Sequence, residues 1–221
     1  MKKQGKLIVI EGIDGSGKKT QFELLVKYLK SRKMAVETVD FPRYKQSVWG
    51  KLLKELLAGR LGDFQQVTPY VSVLPYVLDQ RDWWQKIGRE AMDKGKIILA
   101  NRYVTSNVHQ IYKLKGNKRN KFAKWFWGMV YEELELPRPS LVLVLDVKPV
   151  RAAKLMKARE KDRADEDWGY QQAAYQGYKQ MSKRYQNWVL VKCVEAGKLL
   201  TKEKISERIG KIYEKFTEGG S

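Results

Sequence analysis

Short apolar runs alternate with longer amphipathic stretches along this chain. Five of these runs predict β-strands, and they cover Leu7–Ile10, Ala35–Val39, Ile97–Ala100, Leu141–Leu145 and Trp188–Val191. Strands that are apolar throughout are typical of parallel sheets covered on both faces. Long helical stretches separate the runs, which indicates β-α-β connections. The pattern therefore predicts an α/β fold in which a five-stranded parallel sheet carries helices on both faces.

A glycine-rich stretch follows the first predicted strand. Residues 11–20 read Glu-Gly-Ile-Asp-Gly-Ser-Gly-Lys-Lys-Thr, and apolar residues then recur at helical spacing as Phe22, Leu25 and Leu29. A strand, a glycine-rich turn and a helix in that order are the context of a P-loop. Glycines let backbone N–H groups turn toward a phosphate, and the helix N-terminus adds partial positive charge. The stretch predicts a P-loop NTPase fold that binds phosphate, with Lys18 at the outer phosphates.

Length and cysteine content narrow the class of protein. The chain has 221 residues, which is within reach of a single α/β domain. Its one cysteine, Cys193, excludes an internal disulfide framework and fits a reducing compartment. The N-terminus leads into a short strand, unlike a signal peptide, and no apolar run approaches the ~20 residues that span a membrane. We therefore expect a cytoplasmic protein with no membrane partner.

The chain is strongly basic, with 44 lysines and arginines against 25 acidic residues and a formal net charge of +19. One interpretation is a nucleic-acid-binding protein, because a basic surface attracts phosphate backbones. The other is an enzyme with a lysine-rich surface and polyanionic substrates. Basic residues are scattered, with one dense stretch from Lys113 to Lys124. This dispersal favours the enzyme over specific nucleic-acid binding.

Two segments are expected to be insertions over the strand ends. Residues 45–95 hold two helical stretches that are split by residues 59–63. Residues 159–167 are almost wholly charged and lie between two predicted helices. A charged run is usually a solvated face, but after the fourth strand of a P-loop protein it is placed to fold over bound phosphates. We therefore predict a short charged lid at residues 159–167.

Several short motifs occur together, in a fixed order. Phe41-Pro42-Arg43-Tyr44 follows the second predicted strand, and Asn101-Arg102-Tyr103 ends the third. With the P-loop and the charged segment, these motifs make the chain similar to the thymidylate kinase family from Lys6 to about Ile212. The resemblance implies a single domain over residues 1–221 that transfers a phosphoryl group from ATP to dTMP, giving dTDP and ADP in nucleotide biosynthesis. It also implies Mg2+ with ATP and a homodimer.

The resemblance carries roles to individual residues. It implies that Gly12, Ile13, Asp14, Gly15, Ser16, Gly17, Lys18, Lys19 and Thr20 bind ATP. It implies that the catalytic residues are Lys18, Arg102, Arg159, Arg163 and Asp14. The P-loop holds no arginine, as in the bacterial variety of the family, in which the lid supplies the catalytic arginine. Arg159 and Arg163 would therefore reach the transferred phosphate when the lid closes.

The resemblance also implies an acceptor site. Its residues would be Phe41, Arg43, Tyr44, Tyr76, Gln80, Arg81, Arg102, Ser106 and Asn107. Tyr76 falls where the family stacks an aromatic ring on thymine, and Asn107 falls where a polar side chain meets the base edge. The family arginine expected four residues after Tyr76 is Gln80 here, with Arg81 beside it. A kinase of the same fold that acts on another deoxynucleoside monophosphate is therefore a second hypothesis, and a basic nucleic-acid-binding P-loop ATPase is a third.

The predicted metal site departs from the family pattern at two positions. The family usually has Asp before the strand-end arginine, where this chain has Asn101, and Lys19 occupies the position that a strict P-loop gives to Ser or Thr. Asp14, Glu11 and Thr20 remain as predicted groups toward Mg2+, acting directly or through water.

Overall fold

A computed structural model describes residues 4–63, 66–157 and 168–219. The predicted lid at 159–167, with Arg159 and Arg163, lies outside the described residues. Five parallel strands form the central sheet in the order β2-β3-β1-β4-β5. Their bounds are Lys6–Glu11 (β1), Val36–Asp40 (β2), Ile97–Asn101 (β3), Leu141–Asp146 (β4) and Trp188–Lys192 (β5). The predicted five-stranded parallel sheet is therefore confirmed.

Burial differs between the middle and the edge of the sheet. Every residue of β3 is buried, as are nearly all residues of β1 and β4. On the edge strand β2 only Val39 is buried, because one side of this strand has no neighbour. The prediction of strands that are apolar throughout holds for the central strands and is wrong for β2, whose polar residues face water.

Helices flank the sheet and fill the connections between its strands. Their bounds are Lys18–Ser31 (α1), Val48–Leu57 (α2), Pro69–Ser72 (α3), Leu74–Trp83 (α4), Arg89–Asp93 (α5), Val108–Lys113 (α6), Gly116–Gly128 (α7), Pro149–Lys157 (α8), Trp168–Arg184 (α9) and Lys202–Glu218 (α10). The turn of 3-10 helix at Val104–Asn107 leads into α6. Two stretches of π-helix, Trp84–Gly88 and Met129–Glu133, extend α4 and α7. None of the helices in these ranges is long and apolar enough to cross a membrane.

One short element has no counterpart in the sequence prediction. Val194–Glu195 (β6) and Lys198–Leu199 (β7) form an antiparallel hairpin after β5. Its turn residues Ala196 and Gly197 have φ angles of 45° and 72°, in the left-handed region that a tight turn requires. Each strand has only two residues, which is too short for an alternating pattern to be visible in the sequence.

The strand register brings polar residues to one edge of the sheet. Asn101, the last residue of β3, pairs with Asp40 on one side and with Ile10 on the other. Glu11 follows Ile10 and leads into the glycine-rich loop. Ligands of open parallel sheets bind beyond the carboxyl ends of the strands. The register therefore places the candidate site at this edge.

Candidate active site

The glycine-rich loop between β1 and α1 adopts backbone angles that few side chains tolerate. Gly12, Gly15 and Gly17 have φ angles of 148°, 74° and 91°. A Cβ atom at Gly12 would lie 2.6 Å from the Oγ of Ser16, so this position also lacks space for a side chain. The hydroxyl of Ser16 is buried and has no hydrogen-bond partner among the residues that the structure describes. The loop thus leaves α1 starting at Lys18 with its N-terminus open toward an anion.

The side chain of Lys18 folds back across the loop. Its Nζ donates hydrogen bonds of 2.8 Å to the carbonyl oxygens of Gly12 and Ile13, and it lies 3.7 Å from Oδ1 of Asp14. Burial lowers the pKa of Lys18 to about 7, and the positive charge of Arg102 acts in the same direction. The negative charge of a polyphosphate near this ammonium would raise the pKa of Lys18 again and so oppose both effects.

Asp14 and Arg102 form an ion pair beside Lys18. An Nη2–H of Arg102 donates to Oδ1 of Asp14, and Gln171 of α9 donates through Nε2 to Oδ2 at 3.2 Å. The Asp14 backbone N–H in turn donates to Oε1 of Gln171 at 3.1 Å. Burial raises the pKa of Asp14, but Arg102 and Lys18 outweigh burial, so the pKa lies below its usual value. Asp14 is therefore an anion held between two cations.

Arg102 has an unusual backbone conformation. Its φ angle is 66°, which places a residue with a long side chain in the left-handed region immediately after β3. Such a conformation costs about 1–3 kcal/mol and persists where the surroundings fix it, often at functional sites. Burial opposes the charged form of Arg102, but the carboxylate of Asp14 outweighs burial and raises the pKa. The guanidinium stays charged, and its side chain is 21% exposed toward the site.

Glu11 is completely buried at the base of the loop. Its carboxylate accepts hydrogen bonds from the hydroxyls of Thr105 (2.6 Å), Ser106 (2.9 Å) and Tyr178 (2.7 Å) and from the Tyr103 backbone N–H (3.2 Å). These contacts tie β1 to the turn after β3 and to α9. Both carboxylate oxygens are engaged, so the contacts favour a positioning role, and metal binding by Glu11 stays a prediction.

Aromatic residues lie next to this charged group. Phe41 is buried against Trp83 and Tyr103, with ring centroids 5.9 Å and 6.2 Å away. Tyr76 of α4 is partly buried, and it lies within electrostatic reach of Tyr44 and Arg102. Burial raises the pKa of Tyr76, so its phenol is neutral at physiological pH. The structure therefore brings Phe41 and Tyr76 to the side of the charged group, where the acceptor base is expected.

Arg43 is engaged by protein groups. Its Nε donates to Oδ1 of Asp79 at 3.0 Å, and its Nη2 donates to the Asp79 carbonyl at 2.9 Å and to Oδ2 of Asp82 at 2.5 Å. The Arg43 backbone N–H and the Ser47 hydroxyl also donate to the Asp79 carboxylate, at 2.8 Å and 2.5 Å. These contacts fix residues 41–47 against α4. Binding of the acceptor by Arg43 stays a prediction, and the contacts themselves indicate a positioning role.

The remaining acceptor-site candidates differ in how far protein groups engage them. Gln80 is 3% exposed, and its Oε1 has no hydrogen-bond partner among the described residues. Arg81, its neighbour, likewise has a buried Nη1 without a partner in that part of the chain. Asn107 is buried and donates from Nδ2 to the Val104 carbonyl at 3.1 Å, which orients its oxygen away from that carbonyl. Gln80 thus keeps an unused amide oxygen one helical turn after Tyr76.

The only histidine in the sequence lies close to this group. His109 is buried, its ring centroid lies 4.5 Å from that of Tyr170, and its Nδ1–H donates to the Ser106 carbonyl at 2.9 Å. Burial lowers the pKa of His109 to about 4. The imidazole is therefore neutral at physiological pH, and its contacts indicate a structural role.

Sequence reasoning missed three kinds of contact. Gln171 and Tyr178 lie about two helical turns apart on α9. Gln171 contacts Asp14 and Tyr178 contacts Glu11, but the sequence around both is that of ordinary helix residues. Asp79 is hidden in the same way within α4. Asp40 could have been predicted from the sequence, because a polar residue at the carboxyl end of a parallel strand lies at the edge of the sheet where ligands bind.

Comparison with known proteins gives a consistent result. The family model described as Thymidylate kinase matches residues 10–209. Over 180 residues the chain is 31% identical to a Thymidylate kinase of Mycobacterium tuberculosis. This alignment covers 80% of this chain and 81% of the relative. Over 213 residues it is 27% identical to a Thymidylate kinase of Caldicellulosiruptor saccharolyticus, covering 96% of this chain and 97% of the relative. A Probable thymidylate kinase of Pyrococcus abyssi is 28% identical over 162 residues, covering 71% of this chain and 72% of the relative.

Proposed function

Since this chain belongs to the thymidylate kinase family, we infer that it transfers the terminal phosphoryl group of ATP to dTMP, giving dTDP and ADP. The observation that carries this conclusion is the grouping of Lys18, Asp14 and Arg102 within electrostatic reach of the aromatic side chain of Tyr76. A P-loop alone is compatible with many reactions of nucleotides. A second cation close to an aromatic ring, on which a base can stack, fits a nucleoside monophosphate as the acceptor.

Positions and charges account for the chemistry that the protein must supply. Phosphoryl transfer needs two polyanions held in line while the developing negative charge is neutralised. Lys18 would contact the outer phosphates of ATP. Arg102 would release the Asp14 carboxylate and bind the acceptor phosphate in its place. An oxygen of that phosphate forms the new bond to the γ-phosphorus, and the bond from the γ-phosphorus to the β,γ-bridging oxygen breaks. The attacking phosphate is already ionised, so the reaction needs no general base.

The residues present fit Mg2+ as the cofactor of ATP. This ion prefers oxygen ligands, keeps several waters and takes one or two protein groups. Asp14 offers a partly exposed carboxylate, and Thr20 offers a hydroxyl at the first turn of α1. Within the described ranges no three acidic, histidine or cysteine side chains form a cluster, so the protein alone supplies an incomplete ligand set. The bound ion would neutralise charge on the β- and γ-phosphates.

Three further features belong to the proposal. Residues 159–167 act as a lid that brings Arg159 and Arg163 to the transferred phosphate. The enzyme forms a homodimer, which is supported by an exposed aromatic surface where Tyr70 and Trp125 are 41% and 36% exposed with ring centroids 4.7 Å apart. The chain forms one domain and works in the cytoplasm, where its buried thiol Cys193 stays reduced.

A coupled ADP-release assay with ATP, Mg2+ and each deoxynucleoside monophosphate in turn tests the function. We expect the highest kcat/KM with dTMP and slow ADP release without an acceptor. The amide oxygen of Gln80, which has no hydrogen-bond partner in the described part of the chain, favours the second candidate. That candidate is a kinase for another deoxynucleotide, and it would show a higher kcat/KM with that acceptor. ADP release that no monophosphate stimulates would contradict both.

A further inference from the structure

Asp40 and Asn101 form a side-chain pair at the edge of the sheet where the site lies. They are paired in register on the parallel strands β2 and β3, and Nδ2 of Asn101 donates to Oδ1 of Asp40 at 2.7 Å. Both residues are the last of their strands. The amide at 101 therefore holds a carboxylate that belongs to the neighbouring strand.

The pair lies next to the charges that bind phosphate. Asn101 also pairs with Ile10, from which β1 continues into the glycine-rich loop. Partial loss of hydration beside the neighbouring protein groups raises the pKa of Asp40, while the Asn101 hydrogen bond and the charges of Arg102, Lys19 and Lys18 act in the opposite direction. These three cations come from α1 and from the residue after β3. The Asp40 carboxylate is thus within electrostatic reach of the proposed nucleotide phosphates.

Two oxygens of the pair have no hydrogen-bond partner among the described residues. Oδ1 of Asn101 is buried without a hydrogen bond in the part of the chain that the structure describes. Among the same residues, Asp40 is exposed, its carboxylate forms no ion pair, and its one hydrogen bond comes from Asn101. The backbone ladder already joins β2 to β3, so the side-chain contact is not needed to pair the strands. Carboxylate and amide oxygens are the groups that Mg2+ and its bound waters prefer.

We propose that Asp40, oriented by Asn101, is a metal-site residue that accepts hydrogen bonds from the water shell of the Mg2+–ATP complex. The pair would supply, from the neighbouring strand, the carboxylate that position 101 lacks. The inference rests on the proposed use of Mg2+–ATP but adds residues to it. The role is an outer one, and Asp14 and Thr20 stay the proposed groups toward the ion itself, directly or through water.

Binding of Mn2+ in place of Mg2+ tests the proposal without turnover. The amplitude of the free-ion signal in electron paramagnetic resonance reports Mn2+ affinity for the enzyme in complex with a non-hydrolysable β,γ-imido analogue of ATP. We expect Asp40→Asn to weaken Mn2+ binding about tenfold, as when an outer-shell partner of a metal site is removed. The double variant Asp40→Asn/Asn101→Asp exchanges amide and carboxylate across the strands, so it should recover most of the loss.

Glu37→Gln is the matched control. Glu37 lies on the same strand and forms an ion pair with Lys96 at 3.0 Å, near the amino ends of β2 and β3 and away from the carboxyl ends where the site lies. Its removal should leave Mn2+ affinity unchanged. Unchanged affinity in Asp40→Asn, or an equal loss in Glu37→Gln, would overturn the proposal. Thermal unfolding of each variant checks that it is folded. If Asp40→Asn does not fold, the single variant Asn101→Asp tests the proposal instead. Tighter Mn2+ binding by that variant supports the proposal, and unchanged or weaker binding overturns it.

The outcome is separable from that of the proposed function. Mn2+ affinity is measured on the complex with the analogue and without an acceptor. A chain that phosphorylates no monophosphate but loses Mn2+ affinity in Asp40→Asn refutes the acceptor assignment and supports the metal role. A chain that phosphorylates dTMP and binds Mn2+ equally well in Asp40→Asn refutes the metal role alone.

Discussion

Arg43 and Asp79 form a buried ion pair that joins the segment after β2 to helix α4. The Asp79 carboxylate is completely buried and accepts hydrogen bonds from the Arg43 backbone, the Arg43 guanidinium and the Ser47 hydroxyl. Phe41 and Tyr76, the two aromatic residues expected to meet the acceptor base, lie on the two segments that this pair joins.

Removal of the Asp79 carboxylate should therefore affect both stability and acceptor binding. Breaking a buried pair leaves an uncompensated charge, so we expect Asp79→Ala to lower the free energy of unfolding by about 3–5 kcal/mol. Asp82 contacts the same guanidinium from a partly exposed position, and Asp82→Ala should cost under about 1 kcal/mol. Denaturant unfolding of the two variants measures this difference, and equal losses would contradict it.

The milder variant Asp79→Asn separates positioning from overall stability. It should raise the KM for dTMP well above its effect on the KM for ATP, because only the acceptor side of the site is joined by this pair. Proportional changes in both KM values would show that the pair contributes to stability alone.

Tyr76→Ala should weaken acceptor binding selectively. Stacking of a base on an aromatic ring is worth about 1–3 kcal/mol, so the KM for dTMP should rise by the corresponding factor with little change for ATP. Tyr76→Phe keeps the ring and is the matched control, which should stay near the unsubstituted enzyme. Equal effects on both substrates would rule out Tyr76 as the stacking residue.

Lys18 should take up a proton when ATP binds. Burial holds the pKa of Lys18 at about 7 in the nucleotide-free enzyme, below its ordinary value of 10.5, and the phosphates favour the charged ammonium. Calorimetry at pH 8 in buffers of different ionisation enthalpy should therefore report uptake of about one proton per nucleotide, and much less at pH 6. Lys18→Arg keeps the charge fixed and should abolish the uptake; uptake that persists in it would assign the proton elsewhere.

The same pKa predicts how stability changes with pH. A lysine whose pKa is lowered by folding binds fewer protons in the folded state than in the unfolded chain between pH 7 and 10.5. The contribution of Lys18 to the free energy of unfolding should thus rise with pH across this window and stay constant below it. Denaturant unfolding of the nucleotide-free protein against Lys18→Met isolates the contribution, and parallel pH curves would contradict it.

The charged segment at 159–167 should act on turnover. Because the P-loop holds no arginine, Arg163→Ala should lower kcat by roughly 10³-fold, as when an arginine finger is lost, with little change in nucleotide affinity. Lys161→Ala removes a charge from the same segment and should have a small effect. Normal turnover with weakened binding in Arg163→Ala would mean that the segment only screens charge.

Asp14→Asn should impair both the binding of Mg2+ and the proposed replacement of Asp14 by the acceptor phosphate on Arg102. The variant loses the carboxylate that we propose faces Mg2+, which is also the anion that pairs with Arg102. We expect an absolute requirement for Mg2+ in the unsubstituted enzyme, and in the variant a lower kcat and a higher Mg2+ concentration for half-maximal rate. A variant with normal activity and an unchanged Mg2+ titration would refute the assignment of Asp14.

The central strands and the loop were predictable because their determinants are local. Apolar runs mark strands buried on both faces, and the order of strand, glycines and lysine identifies Lys18 without knowledge of distant residues. The contacts that orient the site are not local. Tyr178 reaches Glu11 across 167 positions, and Gln171 reaches Asp14 across 157. The pairing of α9 with the loop follows from how helices pack on the sheet, which no short pattern encodes.

Arg43 shows a different limit of sequence reasoning. An arginine after a strand beside a phosphate site is expected to bind phosphate, because its fork matches phosphate geometry. The planar guanidinium also fits a carboxylate, and helix α4 places two carboxylates, those of Asp79 and Asp82, in contact with Arg43. Which anion an arginine binds depends on what the fold brings near it, and a residue type alone does not decide this.

The ion pair between Arg102 and Asp14 gives the acceptor site an internal competitor. An anion that takes the place of Asp14 on Arg102 displaces a carboxylate that is held from its other side by Gln171. A small anion such as chloride or inorganic phosphate brings only its charge to this exchange. A nucleoside monophosphate also brings a ring that can stack on Tyr76, so we expect its two ends to act on the exchange together. We therefore expect the ion pair to favour the nucleotide over the abundant free anions of the cell.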